Sequence, residues 1–192
     1  MQVLFVRHGE SQDDIEGRFG GWSDFDLTDK GKEQIRVSAQ EIKKLNENFQ
    51  LILTSPLKRA LQSAEIIAQK LNLQTRVFEY VKERNTYGIL SGMVKSEAKD
   101  KYPNLIEDLD SDKYVLGSER HEDILDRVKK SLQLLEKIKL DSVIVVTHGN
   151  YLKALFEVSG KKLTKKEDGA FVLCNLDKGK LEFLKTHGIE YQ

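Results

Sequence analysis

Two of the four histidines in the chain occur in the same local setting. His8 and His148 each follow a run of apolar residues, and each precedes a glycine (Gly9 and Gly149). A histidine directly past a buried strand, followed by a residue without a side chain, lies at a turn with little steric cover. A single histidine in this setting more often has a structural role, but the occurrence of the same setting twice favours a catalytic or binding role. An imidazole can serve as a nucleophile, a proton carrier or an anion contact.

Arginines accompany these histidines. Arg7 directly precedes His8, and Arg59 follows the end of a second apolar run, a few residues after Ser55. A guanidinium group presents several N–H donors in one plane and suits anions whose charge is spread over several oxygens. The combination predicts a site for a phosphoryl group.

Other uses of these residue types fit the sequence less well. The histidines are widely separated, and no HxxxH or HExxH spacing suggests a metal centre. A GxSxG turn for a serine hydrolase is absent, as are the GxGxxG and GxxxxGK[ST] loops that bind nucleotides. We therefore expect neither a metal nor a cofactor.

Apolar patterning predicts the elements that must position these residues. Short apolar runs predict buried strands at Val3–Val6, Leu51–Leu53 and Val143–Val146. Helical spacing predicts helices at Leu27–Asn48, Leu57–Leu71, Asp123–Ile138 and Asn150–Val158. Two late strands, Val172–Leu176 and Leu181–Leu184, are predicted to join through a turn at Asp177–Lys180.

The alternation of strands and helices predicts an α/β fold with three layers, α/β/α, around a mainly parallel central sheet. In such folds the active crevice lies beyond the carboxyl ends of the strands, where both histidines are expected. Only two prolines occur and no linker interrupts the chain, so we expect a single domain over residues 1–192.

Composition restricts the classes of partner. The 31 basic and 31 acidic side chains give a formal net charge of zero, so no basic field attracts nucleic acid or an anionic membrane. The lysine-rich segment Lys161–Lys166 is expected to be a solvated loop. A single cysteine, Cys174, forms no internal disulfide, and no apolar run is long enough to span a membrane. These features predict a soluble cytoplasmic protein.

Ordered motifs extend the pattern through most of the chain. The segment Leu4–Ser11 resembles the RHG(E/Q)(S/T) signature of the histidine phosphatase superfamily, the phosphoglycerate mutase-like proteins. Further blocks follow in that family's order: Gly17-Arg18-Phe19-x-Gly21, Asp26-Leu27-Thr28-x-x-Gly31-x-x-Gln34, Ser55-x-Leu57-x-Arg59-Ala60-x-x-Ser63-Ala64, Glu83-Arg84, Tyr87-Gly88, Gly92 and Val146-Thr147-His148-Gly149-Asn150. An RHG triplet alone is a weak signal, whereas the ordered set is specific.

The resemblance implies a two-step phosphoryl transfer. The histidine matching His8 attacks phosphorus and becomes a phosphohistidine, while Arg7, Arg59 and His148 surround the non-bridging oxygens. The acid matching Glu83 protonates the leaving oxygen and later deprotonates water, so it must be neutral in the first step. Attack requires a neutral His8, and we expect the two arginines and a charged His148 to lower the pKa of His8. A backbone carbonyl near the following glycine is expected to fix its tautomer.

Without the resemblance, Glu83 looks like a solvent-exposed charge in a polar stretch. The resemblance also implies substrate contacts. Gly20 and Gly21 match a loop that brings backbone donors to the substrate. The other matched positions are Ser11, Asp14, Arg84, Tyr87, Lys95, Gly149 and Asn150. Asp14 departs from the family, where most members have Asn; a carboxylate beside a phosphate is unfavourable unless it is protonated or turned away.

The family contains phosphatases and mutases, and the sequence favours a phosphatase. Mutases carry an adjacent Arg-Arg pair where this chain has the acidic stretch Asp108–Lys113. In addition, Glu83 and His148 are separated by fewer residues than is usual in a mutase. We predict a metal-independent phosphomonoesterase that acts on a small phosphorylated metabolite, with a lid over about residues 87–120. A cofactor-dependent phosphoglycerate mutase is the alternative, because Glu83-Arg84, Tyr87-Gly88 and Lys95 resemble a mutase segment. A non-catalytic phosphate- or protein-binding member is the second alternative, and a homodimer is left open.

Overall fold

A six-stranded sheet in the order β3-β2-β4-β1-β5-β6 forms the centre of the computed structural model, which describes residues 1–111 and 114–192. The strands are β1 (Gln2–Arg7), β2 (Leu51–Thr54), β3 (Thr75–Val77), β4 (Ser142–Thr147), β5 (Leu163–Asp177) and β6 (Lys180–Tyr191). Strands β1 to β4 pair in parallel, whereas β5 is antiparallel to β1 and β6 is antiparallel to β5. The prediction of a mainly parallel sheet is confirmed.

Helices cover both faces of the sheet. They are α1 (Gln12–Ile15), α2 (Asp29–Lys44), α3 (Lys58–Leu71), α4 (Lys95–Lys101), α5 (Pro103–Asp110), α6 (His121–Leu135) and α7 (Gly149–Val158). Alternate residues of β1 face opposite layers: Leu4 and Val6 pack with the apolar side of α2 and α3, and Val3 and Phe5 pack with that of α6 and α7. The three-layer α/β/α prediction is therefore confirmed.

The long helices and the buried strands lie where the apolar patterning predicts them, with bounds that differ by a few residues. Strand β3 was not predicted, because all three of its residues are exposed at the edge of the sheet. Within the described part of the chain, no helix is both long enough and apolar enough to cross a membrane.

Strands β5 and β6 are much longer than predicted, with 15 and 12 residues. The first half of β5 is charged and largely exposed, and its pairing shifts register between Lys166 and Phe171, so no continuous apolar run marks it. The expectation of a solvated loop at Lys161–Lys166 is wrong for residues 163–166, which belong to β5. The predicted turn is confirmed, with Lys178 and Gly179 both at positive φ.

The segment predicted to form a lid contains its own small apolar cluster. Leu90, Ala98 and Val115 are buried together, and Phe19 packs against them from the loop before α2. Helix α4 contributes Ala98, and three apolar residues of α5, together with Tyr87 and Met93, supply the remaining contacts to this cluster. Of the predicted acidic stretch Asp108–Lys113, residues 112 and 113 lie outside the described residues.

The predicted site residues lie side by side at the carboxyl ends of three neighbouring strands. Strand β4 lies between β1 and β2, and the His8 N–H donates to the Thr147 carbonyl at 3.0 Å. The Ser55 N–H donates to the Val146 carbonyl, also at 3.0 Å. The residues that follow β1, β2 and β4 therefore meet at one edge of the sheet, where parallel α/β folds form their crevice.

Gly9 is required by close packing rather than by a special backbone angle. A Cβ atom on Gly9 would collide with the Gly31 carbonyl, and one on Gly31 would collide with the Glu10 carbonyl. The two glycines thus let the exit of β1 pass directly against the first turn of α2. This contact fixes the direction in which the chain leaves His8.

Candidate active site

His8 is a buried, neutral histidine with one unprotonated ring nitrogen. Its Nδ1 lies 2.7 Å from the Gly9 carbonyl oxygen, and only a ring protonated at Nδ1 can donate to that oxygen. This tautomer leaves a lone pair on Nε2. Burial, and then the charges of Arg59 and Arg7, hold the pKa of His8 well below its ordinary value. The expected carbonyl anchor is confirmed. The pKa of His8 is lowered as expected, but burial is the largest cause and His148 does not contribute to the shift.

Arg59 lies in the first turn of α3 and is almost fully buried. Its Nε donates to His8 Nε2 at 3.2 Å, while Nη1 donates to the Ser23 carbonyl at 2.7 Å and Nη2 to the Gly21 carbonyl at 2.8 Å. These bonds hold the guanidinium against the unprotonated nitrogen of His8, which accepts one of them. Each Nη carries a second N–H, so the group can also donate to an anion there.

His148 is fully buried beside His8, with ring centroids 4.9 Å apart. Its Nε2 lies 2.7 Å from Ser55 Oγ, which also accepts the Leu57 N–H at 3.3 Å. When Ser55 donates its proton to Nε2, the ring N–H is on Nδ1. That nitrogen has no hydrogen-bond partner among the described residues.

The expectation of a charged His148 is corrected by this environment. Burial lowers the pKa of His148 well below its ordinary value, and the electrostatic effects of Arg59 and His8 lower it further. The sequence showed the nearby cations but not the complete burial of the ring. A neutral ring protonated at Nδ1 remains a hydrogen-bond donor for a phosphoryl oxygen.

Arg7 is held in place from the side of β5. Its Nη1 donates to the Lys166 carbonyl at 3.2 Å, and its Nη2 forms a salt bridge with Asp168 at 2.9 Å. The buried Nε of Arg7 has no partner among residues 1–111 and 114–192. One donor of the guanidinium therefore remains unsatisfied at the site.

Lys166 is a site residue that the sequence analysis missed. It lines the same cleft, and its Nζ lies 3.4 Å from the position that a Cβ on Gly149 would take. Burial, and then the charge of Arg7, lower the pKa of Lys166. The run of lysines suggested a solvated loop, whereas the backbone of β5 turns this one side chain into the cleft.

Glu83 follows a single 3-10 turn at Glu79–Val81, and only 8% of it is exposed. Its carboxylate accepts the backbone N–H groups of Arg84 at 2.8 Å, Asn150 at 3.1 Å and Tyr151 at 3.2 Å. The last two belong to the first turn of α7, where N–H groups lack partners within the helix. The alternative of a solvent-exposed charge is wrong, because the carboxylate lies in the wall of the cleft.

Arg127 of α6 fastens the segment that carries Glu83. Its guanidinium donates to the carbonyls of Tyr80, Lys82 and Glu83 at 2.7–3.2 Å. The same group makes two hydrogen bonds of 2.8 Å to the Glu119 carboxylate. A residue outside the cleft thus fixes the backbone on both sides of the predicted acid.

Asp14 is turned toward the backbone of α1. Its Oδ2 accepts the Ser11 N–H at 3.0 Å and the Ser11 hydroxyl at 3.2 Å, which caps the helix. Asp13, which was not predicted, is buried in the cleft wall. Gly20 and Gly21 also line the cleft, and the described residues provide no acceptor for their N–H groups, as suits a donor loop.

The cleft has a volume of about 250 Å³. Its lining includes these predicted substrate contacts: Ser11, Asp14, Gly20, Gly21, Tyr87, Lys95, Gly149 and Asn150. Arg84 is not brought into the cleft, because its Nε donates to the Glu119 carbonyl at 3.2 Å. Arg18 also lines the cleft and was not predicted, although it lies in one of the quoted motifs.

The fold and the site together define an α/β protein with a histidine and arginine anion site at the carboxyl edge of its sheet. A family model described as "Histidine phosphatase superfamily (branch 1)" matches residues 3–177. The chain belongs to this superfamily. The resemblance read from the motifs is therefore confirmed, and so is the prediction of an enzyme of the histidine phosphatase class at the level of the family.

Relatives in this superfamily differ in activity. The chain is 34% identical to a 2,3-bisphosphoglycerate-dependent phosphoglycerate mutase of Buchnera aphidicola subsp. Cinara cedri, over 83% of this chain and 84% of that protein. It is 31% identical to phosphoserine phosphatase 1 of Hydrogenobacter thermophilus, over 81% of this chain and 74% of that protein. The alpha-ribazole phosphatase of Shigella flexneri shares the fold, with a TM-score of 0.80, 18% identity and coverage of 96% of this chain and 95% of that one.

Proposed function

We propose that the chain is a metal-independent phosphomonoesterase that hydrolyses a small phosphorylated metabolite through a phosphohistidine on His8. The observation that carries the proposal is the unprotonated Nε2 of a neutral His8, which accepts a hydrogen bond from Arg59 Nε and lies beside two buried polar atoms without partners among the described residues. Those atoms are Arg7 Nε and His148 Nδ1. Buried polar groups are rarely left unsatisfied, so they support a ligand rich in hydrogen-bond acceptors.

The first step transfers the phosphoryl group to His8. The lone pair on Nε2 attacks phosphorus, the N–P bond forms and the P–O bond to the alcohol breaks. The leaving oxygen takes the proton from Glu83, which therefore enters the cycle protonated and leaves this step ionised. Arg7, Arg59 and His148 donate to the non-bridging oxygens, where stabilisation of the transition state has the largest effect.

The second step returns the enzyme to its starting state. The ionised Glu83 takes a proton from a water molecule, and the water oxygen attacks phosphorus. The N–P bond breaks, inorganic phosphate leaves, and the electron pair returns to His8 Nε2. One carboxyl group thus serves as acid and then as base, which suits a side chain held at a fixed position by three backbone donors.

The choice of phosphatase over mutase rests on the acidic end of α5. Asp108 and Asp110 lie in the stretch where mutases of the family carry an Arg-Arg pair for a second anionic group. The relative from Hydrogenobacter thermophilus is a phosphatase by name, which agrees with this choice. The relative from Buchnera keeps mutase activity as a second candidate, because its identity to the chain is 34%.

Release of phosphate from p-nitrophenyl phosphate and from a panel of small phosphate esters tests the proposal. We expect turnover by the wild type and a loss of at least about 10³-fold in His8→Ala, because the nucleophile is removed. His121→Ala is the matched control, since His121 is exposed on α6 and pairs with Glu157. Full activity in His8→Ala would refute the assignment. With 3-phosphoglycerate, isomerisation faster than phosphate release would establish the mutase instead.

A further inference from the structure

Asp13 places a buried, unpaired carboxylate in the wall of the cleft. Only 4% of the residue is exposed, and its Oδ1 has no hydrogen-bond partner within the described part of the chain. The nearby cation Arg18 does not pair with it, because that guanidinium binds Glu16 and the Gly92 carbonyl. Buried acceptor oxygens are rarely left without a donor, so this one points to a donor on a ligand in the cleft.

The neighbouring loop leaves room for this carboxylate. A Cβ atom on Gly20 would lie only 2.6 Å from Asp13 Oδ2, so any larger residue there would push against the carboxylate. The ring of Tyr87 lies on the same side of the cleft. Burial, and then the charges of Glu83, Asp13 and Asp14, raise the pKa of Tyr87. The cations Arg18 and Lys95 line the same cleft, but Arg18 is bound to Glu16 and the Gly92 carbonyl, and Lys95 lies over the Phe19 ring.

The phosphate-binding side of the cleft has the opposite character. Arg7, Arg59 and Lys166 line it, and each has a cationic head close to His8 or to Gly149. If phosphate is the only charged group of the substrate, the Asp13 carboxylate repels it. A substrate with a cation on its alcohol portion would instead satisfy it while its phosphate binds the arginines.

We propose that Asp13 selects phosphate esters whose alcohol portion carries an ammonium group, with that group bound to the Asp13 carboxylate. The inference rests on the proposed phosphatase function and names the substrate class of the same site. An ammonium group supplies three N–H donors, enough to bind both carboxylate oxygens and a neighbouring acceptor.

Two probes that differ only at the relevant group provide the test: O-phosphoethanolamine, which carries –NH₃⁺, and 2-hydroxyethyl phosphate, which carries –OH. We expect the wild type to favour the amine in kcat/KM by about 10- to 100-fold, the range for one charge-assisted hydrogen bond in a buried site. In Asp13→Asn we expect this preference to fall to near one. Asp29→Asn, which removes an exposed carboxylate of α2 outside the cleft, is the matched control and should retain the preference.

Several outcomes would overturn the inference. A wild-type preference near one, an unchanged preference in Asp13→Asn, or an equal loss in Asp29→Asn would each do so. Asp13→Ser replaces Asp13→Asn if circular dichroism shows that the latter is unfolded. If both variants unfold, the wild-type preference decides.

Failure of the proposed function is distinguishable from failure of the inference. Hydrolysis of p-nitrophenyl phosphate without an amine preference leaves the phosphatase intact and removes the role of Asp13. If no ester is hydrolysed, the phosphatase proposal fails. Titration calorimetry of His8→Ala, with and without Asp13→Asn, then decides whether the amine probe binds more tightly than the hydroxyl probe because of Asp13. Equal binding overturns the inference.

Discussion

At the scale of single residues, His8 and Glu83 have surroundings that suit different tasks. His8 keeps one ring nitrogen bound to the Gly9 carbonyl and presents the other next to Arg59. Glu83 is held by backbone donors of its own segment and of α7. The first arrangement favours a neutral nucleophile and the second fixes a carboxyl group in position for proton transfer.

Substitution of Glu83 by Gln should separate the two roles of the acid. Glutamine has the size of glutamate and much of its hydrogen-bonding capacity, but it has no acidic proton to transfer to the leaving oxygen. An alkyl alcohol needs that proton to leave and p-nitrophenolate largely does not. The variant should therefore lose about 10²- to 10⁴-fold in the single-turnover burst of alcohol release from an alkyl phosphate, and far less with p-nitrophenyl phosphate. Equal losses in the two bursts would mean that Glu83 is not the proton donor.

The buried histidines should make folding stability depend on pH. The folded-state pKa values of His8 and His148 lie below their ordinary value of 6.5, so below that pH the unfolded chain binds protons that the folded chain does not. The stability that the two neutral rings contribute is therefore fully present above about pH 6.5. As the pH falls below that value, the free energy of unfolding decreases by up to about 1.4 kcal/mol per pH unit for each ring.

Urea unfolding between about pH 7.5 and pH 5.5 measures this dependence. The free energy of unfolding of the wild type should fall across the range, and His148→Asn should show a shallower fall. Asn in place of the exposed His121 is the matched control and should follow the wild type. A slope unchanged in His148→Asn would contradict the neutral burial of that ring.

At the scale of elements, the site depends on how segments are tied together. Arg127 of α6 binds three carbonyls around Glu83 and the carboxylate of Glu119. The sequence could not reveal this link, because the partners are about 45 residues apart along the chain and their spacing follows no local period. The sequence predicted the buried strands well, because each of them contains a continuous run of apolar residues.

Arg127→Gln should act on catalysis through the position of Glu83. Loss of the guanidinium frees the backbone of the acid, so kcat should fall about tenfold or more on an alkyl phosphate and less on p-nitrophenyl phosphate. Arg36→Gln, at an exposed pair with Glu33 on α2, is the control and should change neither. The comparison of leaving groups separates this role from a general loss of stability, which would lower both rates alike.

Two of the cleft residues that the sequence analysis missed, Lys166 and Asp13, show what apolar patterning cannot predict. Lys166 lies in a run of lysines, and only the path of β5 distinguishes it from its solvated neighbours. Asp13 and Asp14 are adjacent acids, yet one is buried in the cleft wall and the other caps α1. Periodicity gives the face of a long element, but α1 has only four residues and no period to read.

At the scale of the whole molecule, positive charge is concentrated where the strands end although the formal net charge is zero. Arg7, Arg59 and Lys166 come from β1, α3 and β5, three parts of the chain that only the folded sheet brings together. These side chains can supply the charge that a phosphoryl group requires. The fold therefore brings several positive charges together in a protein whose formal net charge is zero.

Because protein cations are proposed to stabilise the transferred group, activity should survive removal of metal ions. Extended dialysis against EDTA, followed by assay with p-nitrophenyl phosphate in the chelator, should leave kcat within about twofold of the untreated enzyme. An Arg59→Lys variant assayed in parallel should lose activity, since a lysine cannot reproduce the planar fork. Loss of activity in EDTA that a divalent ion restores would contradict the proposed metal-independent mechanism.

The phosphohistidine on His8 is the central claim, and trapping it is the most direct measurement. Wild-type enzyme is mixed with a radiolabelled phosphate ester and quenched in alkali within one turnover, and the label is located by peptide mass spectrometry. We expect acid-labile, alkali-stable phosphate on His8, absent from His8→Ala and accumulating in Glu83→Gln with p-nitrophenyl phosphate. Acid-stable label on Ser11 or Ser55, or phosphate release with no labelled enzyme at any time, would contradict it.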